Sequence, residues 1–108
     1  MGLTKSEIFT EKQNSIATIA KVLGHPARIA ILEFLIELKS CACGDLVKDI
    51  GLAQPTISQH LKELKKVGII KGTIEGTSVC YCIDEENWEE IKNILGKFLN
   101  KNSIGNCC

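Results

Sequence analysis

The chain has 108 residues, 44% of them apolar, and 13 Lys and Arg balance 13 Asp and Glu for a formal net charge of zero. That length and apolar content suit one domain, 1–108, around one compact core, and the neutral balance excludes a global basic field for nucleic acid, so any such binding must rest on a local patch. The opening Met-Gly-Leu-Thr-Lys-Ser lacks the apolar run of a leader, and no later run approaches the roughly 20 apolar residues of a membrane helix, which leads us to expect a cytoplasmic protein with no membrane partner.

In chain order, the periodicity predicts a helix from about Ser6 to Leu23, with Ile8, Ile16, Ile19, Ala20 and Leu23 as apolar positions and Gly24 as its stop. Pro26 suits the first turn of a second helix, where its missing amide hydrogen costs nothing. That helix runs to about Lys39 and places Ile29, Leu32, Leu35 and Ile36 against an apolar partner. Asp45 to Ile50 is a short helical pattern closed by Gly51. Pro55 then opens another helix, with Ile57, Leu61 and Leu64 spaced for burial and Gly68 as its stop. Two short helices joined by a tight turn make a helix-turn-helix layout. The runs Ile69–Ile74 and Val79–Ile83 around Glu75-Gly76-Thr77-Ser78 predict a hairpin, the wing that follows such a unit. Asp84 is a good N-cap for the last helix, whose stripe is Trp88, Ile91, Ile94, Leu95, Phe98 and Leu99. The fold class expected is mainly α with an α+β element, a winged helix-turn-helix of about five helices and a hairpin wing. A stripe this broad on a terminal helix predicts dimerisation, and residues 101–108 read as a flexible tail.

Two kinds of chemistry stand out. Gln54, Thr56, Ser58, Gln59 and His60, at the start of the Pro55 helix, are short or amide-bearing groups suited to base edges and phosphates. Between Gln54 and Gly72, Lys62, Lys65, Lys66 and Lys71 face a single acid, Glu63, which supplies the local basic patch. The six cysteines form three close pairs, Cys41 with Cys43, Cys80 with Cys82, and Cys107 with Cys108. Nothing accompanies them that would make an enzyme: no CxxC lies in a βαβ context and no base attends a nucleophile.

The runs Leu23-Gly24-His25-Pro26-Ala27-Arg28-Ile29, Gly44-Asp45-Leu46, and Gln54-Pro55-Thr56-Ile57-Ser58-Gln59-His60-Leu61-Lys62-Glu63-Leu64, followed by Gly68-Ile69-Ile70 and a hairpin, resemble the ArsR/SmtB-type winged-helix metalloregulators, arsenite sensors among them. The resemblance implies a homodimeric repressor, paired through its N-terminal helix and the helix over 84–100, that binds double-stranded operator DNA and leaves it when an ion binds. It implies DNA contacts from Gln54, Thr56, Ser58, Gln59, His60 and Lys62, with Lys71 and the Thr73–Ser78 wing near the backbone. The wing carries Glu75 where the family usually has Arg or Lys.

The two histidines, His25 and His60, both lie outside the last helix, where relatives that sense zinc carry His and carboxylate ligands. Thiolates favour soft ions instead, so trivalent arsenic or antimony is the expected inducer, another soft ion being possible and no cofactor obligatory. The CxC of arsenite sensors lies just before the helix-turn-helix, and here Gly44 sets it one residue farther from Asp45. In a winged helix this segment commonly pairs with the second wing strand. If Val79, Tyr81 and Ile83 face the core with Ala42, alternation turns Cys41, Cys43, Cys80 and Cys82 to the opposite side as one thiol cluster. Cys107 and Cys108 could add a third sulfur, form a separate site or play no part. Cys80 and Cys82 could equally be small apolar fillers of a buried strand. A thiol redox switch and a structural zinc remain alternatives.

Overall fold

The computed structural model describes residues 5–42, 50–75 and 78–102. Its elements are α1 (Lys5–Ile8), α2 (Glu11–Leu23), α3 (Pro26–Leu38), α4 (Gln54–Lys66), β1 (Ile70–Glu75), β2 (Ser78–Ile83) and α5 (Glu85–Leu99). This is the winged helix-turn-helix expected, with α4 as its second helix and β1–β2 as its wing. The short helix expected over Asp45–Ile50 lies outside the described residues except for Ile50, which is helical and packs on the core.

The single helix expected from Ser6 to Leu23 is two. Thr10 adopts an extended conformation, its Oγ1 accepts from the Gln13 backbone amide, and its own backbone amide donates to Gln13 Oε1, both at 3.0 Å. This reciprocal capping box satisfies donors that a new helix end would otherwise leave bare, so α2 starts afresh there. Ile8 and Phe9, before the break, are left 62% and 53% exposed.

The core draws Ile19 and Val22 from α2, Ile31, Leu32 and Leu35 from α3, Ile57, Leu61 and Leu64 from α4, Ile69, Ile70 and Ile83 from the hairpin region, and Ile91 from α5. Burying each such side chain contributes about 1.5–3 kcal/mol. The three positions expected from α4 are all buried, whereas two of the four expected from α3 are not. Ile29 and Ile36 are 40% and 44% exposed because α3 turns its Ile31–Leu35 side inward. The α5 stripe likewise is buried at Ile91, half-buried at Trp88, Ile94 and Leu95, and ends in Phe98 and Leu99, both exposed.

Two turns aim the wing. Lys39, in the left-handed region at φ 57°, ends α3 and sends the chain toward β2. Gly68, at φ +83°, ends the α4 segment; its carbonyl accepts from the Asn87 side chain at 2.6 Å, and a Cβ there would meet that same amide nitrogen. Only glycine fits both demands. Asn87 is in turn placed by its backbone amide, which donates to the Asp84 cap. The hairpin is antiparallel and in register from Ile70 opposite Ile83 to Glu75 opposite Ser78.

Candidate functional site

The first nine residues of α4, Gln54 to Lys62, hold six of the residues expected to meet DNA. Gln54, Thr56, Ser58, Gln59 and Lys62 are exposed, His60 is half-buried, and Lys71 is exposed on β1. The opposite side of the helix, Ile57, Leu61 and Leu64, is sunk in the core, so the polar side cannot rotate away from solvent. The Gln54 amide donates to Ser58 Oγ at 3.1 Å and the Gln59 amide to Glu63 at 3.3 Å, each one helical turn on. The N-cap, Ala53, has no capping side chain, so the helix presents its positive end to solvent without a competing side-chain acceptor.

His60 differs from its neighbours in having a partner 32 residues away. Arg28 of α3 donates from Nε to His60 Nδ1 at 3.1 Å and from Nη1 to the Val22 carbonyl at 3.2 Å. The His25 ring stands 5.3 Å from that of His60, tilted by 53°. Burial first, then the Arg28 cation and His25, hold the His60 pKa below the usual imidazole value. Arg28 lay inside a recognised sequence motif, but nothing in its spacing tied it to His60.

The sulfur chemistry lies at the root of the wing. Ala42 and Tyr81 form an antiparallel bridge, with Ala42 N to Tyr81 O at 2.7 Å and Tyr81 N to Ala42 O at 2.9 Å. The strand pairing expected between the two CxC segments is therefore present at its centre. An antiparallel ladder alternates hydrogen-bonded and non-hydrogen-bonded pairs, so Cys41 and Cys82, flanking the bridge, face each other at a close non-hydrogen-bonded position. Both thiols are free, on neighbouring positions of paired segments. Burial, then the neighbouring Cys41, push the Cys82 thiol up to about 11, against a smaller pull from Lys71. They open onto a cavity of about 410 Å³ bounded by Leu35, Ile36 and Trp88 and by Lys39, Lys71 and Lys92.

Cys80 behaves differently. It is fully buried and disulfide-bonded. Cys43, Cys107 and Cys108 lie outside the described residues, so the expected four-thiol cluster is described for Cys41 and Cys82 alone. Among the described residues, no three His, Cys, Asp or Glu side chains converge on a common ion position, and no helix is long and apolar enough to cross a membrane.

Comparison with known proteins agrees with this geometry. Residues 25–71 match the family model described as "Bacterial regulatory protein, arsR family". The chain is 41% identical to an uncharacterized HTH-type transcriptional regulator of Methanocaldococcus jannaschii, the match covering 79% of this chain and 96% of that protein. It is 32% identical to the arsenical resistance operon repressor of Staphylococcus xylosus, covering 86% and 88% of the two chains. The crystal structure of Rv0081 from M. tuberculosis superimposes with a TM-score of 0.64 at 30% identity, covering 84% of this chain and 95% of that one. The chain therefore belongs to the ArsR family, whose members are DNA-binding transcriptional regulators and not enzymes.

Proposed function

We propose that the protein is a homodimeric repressor that reads double-stranded operator DNA with the start of α4 and the wing, and releases it when a thiophilic ion binds at the wing root. The reading rests on one observation, the free thiols of Cys41 and Cys82 set opposite each other beside the Ala42–Tyr81 bridge and lining one cavity. An ion bound there joins the end of α3 to β2 and alters how the hairpin sits on the recognition unit. Two heads on one duplex must match half-sites about one helical turn apart, so a small change in each head costs affinity. A coupling of about 1–3 kcal/mol is enough to weaken binding several-fold to a hundredfold. The exposed Ile8, Phe9, Phe98 and Leu99 support pairing through the N-terminal helices and α5.

Trivalent arsenic or antimony suits the raised Cys82 thiol. Arsenous acid condenses with neutral thiols, each new As–S bond releasing one water, whereas a divalent ion must first displace a proton. Cys43, Cys107 and Cys108 are the remaining candidate sulfurs, whereas Cys80, fully buried and disulfide-bonded, has no thiol to give. The disulfide at Cys80 favours a second reading, in which oxidation rather than an ion releases DNA.

The test uses a duplex enriched from a random pool by the wild-type protein. The complex is titrated with arsenite, antimonite, cadmium, zinc and hydrogen peroxide. Release by arsenite or antimonite that is lost in the Cys41→Ser, Cys82→Ser double variant supports the ion reading. Release by peroxide alone, reset by dithiothreitol, replaces it with the redox reading, and indifference to every reagent removes both.

A further inference from the structure

We propose that Arg28 is a positioning residue for DNA reading: it holds His60 as the Nε2–H tautomer, so that α4 offers a fixed hydrogen-bond donor to an acceptor on DNA. The inference rests on the DNA-binding function proposed above and names a residue of α3 as part of it.

The argument is one of donors and acceptors. A guanidinium has only donors and keeps its charge, so the imidazole atom it bonds at 3.1 Å must be the unprotonated nitrogen. That atom is Nδ1, which leaves the proton of neutral His60 on Nε2. Arg28 is itself fixed by the bond from Nη1 to the Val22 carbonyl, at the end of α2, so three helices hold one ring. The tilted His25 ring, 5.3 Å away, limits its rotation. No described residue accepts a hydrogen bond from Nε2, while Gln59 beside it already gives its amide to Glu63. Without Arg28 the ring would populate both tautomers and present a donor or an acceptor in turn. With Arg28 it presents a donor, which selects acceptors such as guanine O6 and N7 or a phosphate oxygen.

The first test needs no DNA. Imidazole nitrogen shifts of the full-length protein, labelled with ¹⁵N at histidine, are expected to show His60 as a single Nε2–H form at neutral pH. Arg28→Met should give a tautomer mixture and Arg28→Lys should partly restore the single form. A mixture in wild type overturns the inference while leaving the DNA-binding reading intact. The second test measures affinity for the enriched duplex. Arg28→Met should weaken binding roughly three- to tenfold, the worth of one hydrogen bond. That loss should vanish in a His60→Ala background, with circular dichroism verifying the fold of each variant. Losses that add would make Arg28 an independent DNA contact and overturn the proposal. Replacing guanines by 7-deazaguanine, which lacks N7, or by 2-aminopurine, which lacks O6, or single phosphates by methylphosphonates, should abolish the Arg28 effect at one position, placing the acceptor on a base or on the backbone. If no such position exists, the donor has no target and the proposal fails. If wild-type protein enriches no duplex at all, the DNA-binding reading itself falls.

Discussion

The recognition helix and the wing root are built in opposite ways. The polar side of α4 is backed by Ile57, Leu61 and Leu64, each at most 4% exposed, and braced through His60 by Arg28. The sulfur pair hangs on one two-bond bridge between Ala42 and Tyr81, at the end of a helix that closes with a left-handed Lys39. The reading surface therefore moves only with the whole core, while the sulfur pair can open or close at the cost of two hydrogen bonds. A sensor needs that asymmetry, because a ligand shifts an equilibrium only where two arrangements lie close in free energy.

The largest effect is expected at the rigid end of this comparison. Leu64 is fully buried, and Leu64→Ala should destabilise the fold by about 2–5 kcal/mol through lost burial and the cavity left behind. Denaturant unfolding checks it. A loss below about 1 kcal/mol would mean that α4 is far less firmly seated than its burial indicates.

A second contrast lies within the sulfur pair. Because Cys82 stays protonated well past neutrality, cadmium must release its proton, and affinity should climb about tenfold per pH unit for that thiol alone. Arsenite, which carries the thiol proton away as water, should bind with nearly flat affinity across the same range. Competition titrations between pH 6 and pH 8, values bracketing neutrality and about 3 units or more below the raised thiol, decide it. Parallel slopes for the two ions would show that Cys82 is not a ligand to at least one of them.

Ala42→Pro probes the bridge directly. It removes the 2.7 Å bond to the Tyr81 carbonyl without touching sulfur. We expect a stability loss of about 1–3 kcal/mol and ion-induced release weakened at least as much as in a single cysteine variant, with affinity for DNA in the absence of ion largely kept. Equal damage to DNA binding would show that the wing root supports the reading head as firmly as α4 does.

Much of this was legible in the chain. Pro26, Pro55, Gly68 and Asp84 each perform the structural task that their chemistry suggests, because caps and breakers act within a turn of themselves. The break at Thr10 was written there too, as Thr-x-x-Gln, but the apolar periodicity running past it was the louder pattern. The CxC pairing followed from the usual winged-helix layout and the shared face from strand alternation, yet alternation could not reveal that Cys80 is fully buried while Cys82 keeps partial exposure, since that depends on which helices cover each end of β2. The bond from Arg28 to His60 had no local signal at all. It joins residues 32 apart through the packing of α3 on α4, and only tertiary structure brings them together.

That brace gives the smallest expected effect. The His60 pKa is held down in the folded protein by burial, by the Arg28 cation and by His25, with Glu63 one turn on along the same helix. A histidine whose folded pKa lies below its unfolded value of about 6.5 binds protons more readily when unfolded. Its contribution is therefore complete above about pH 6.5 and is lost as pH falls through the lower, folded value. Unfolding free energy should decline on acidification through this window, and less so in Arg28→Met, where the cation that opposes protonation is gone. Matching acid profiles for wild type and variant would mean that Arg28 and His60 are not electrostatically linked in solution, which would separate the reading head from the scaffold on which the comparison places it.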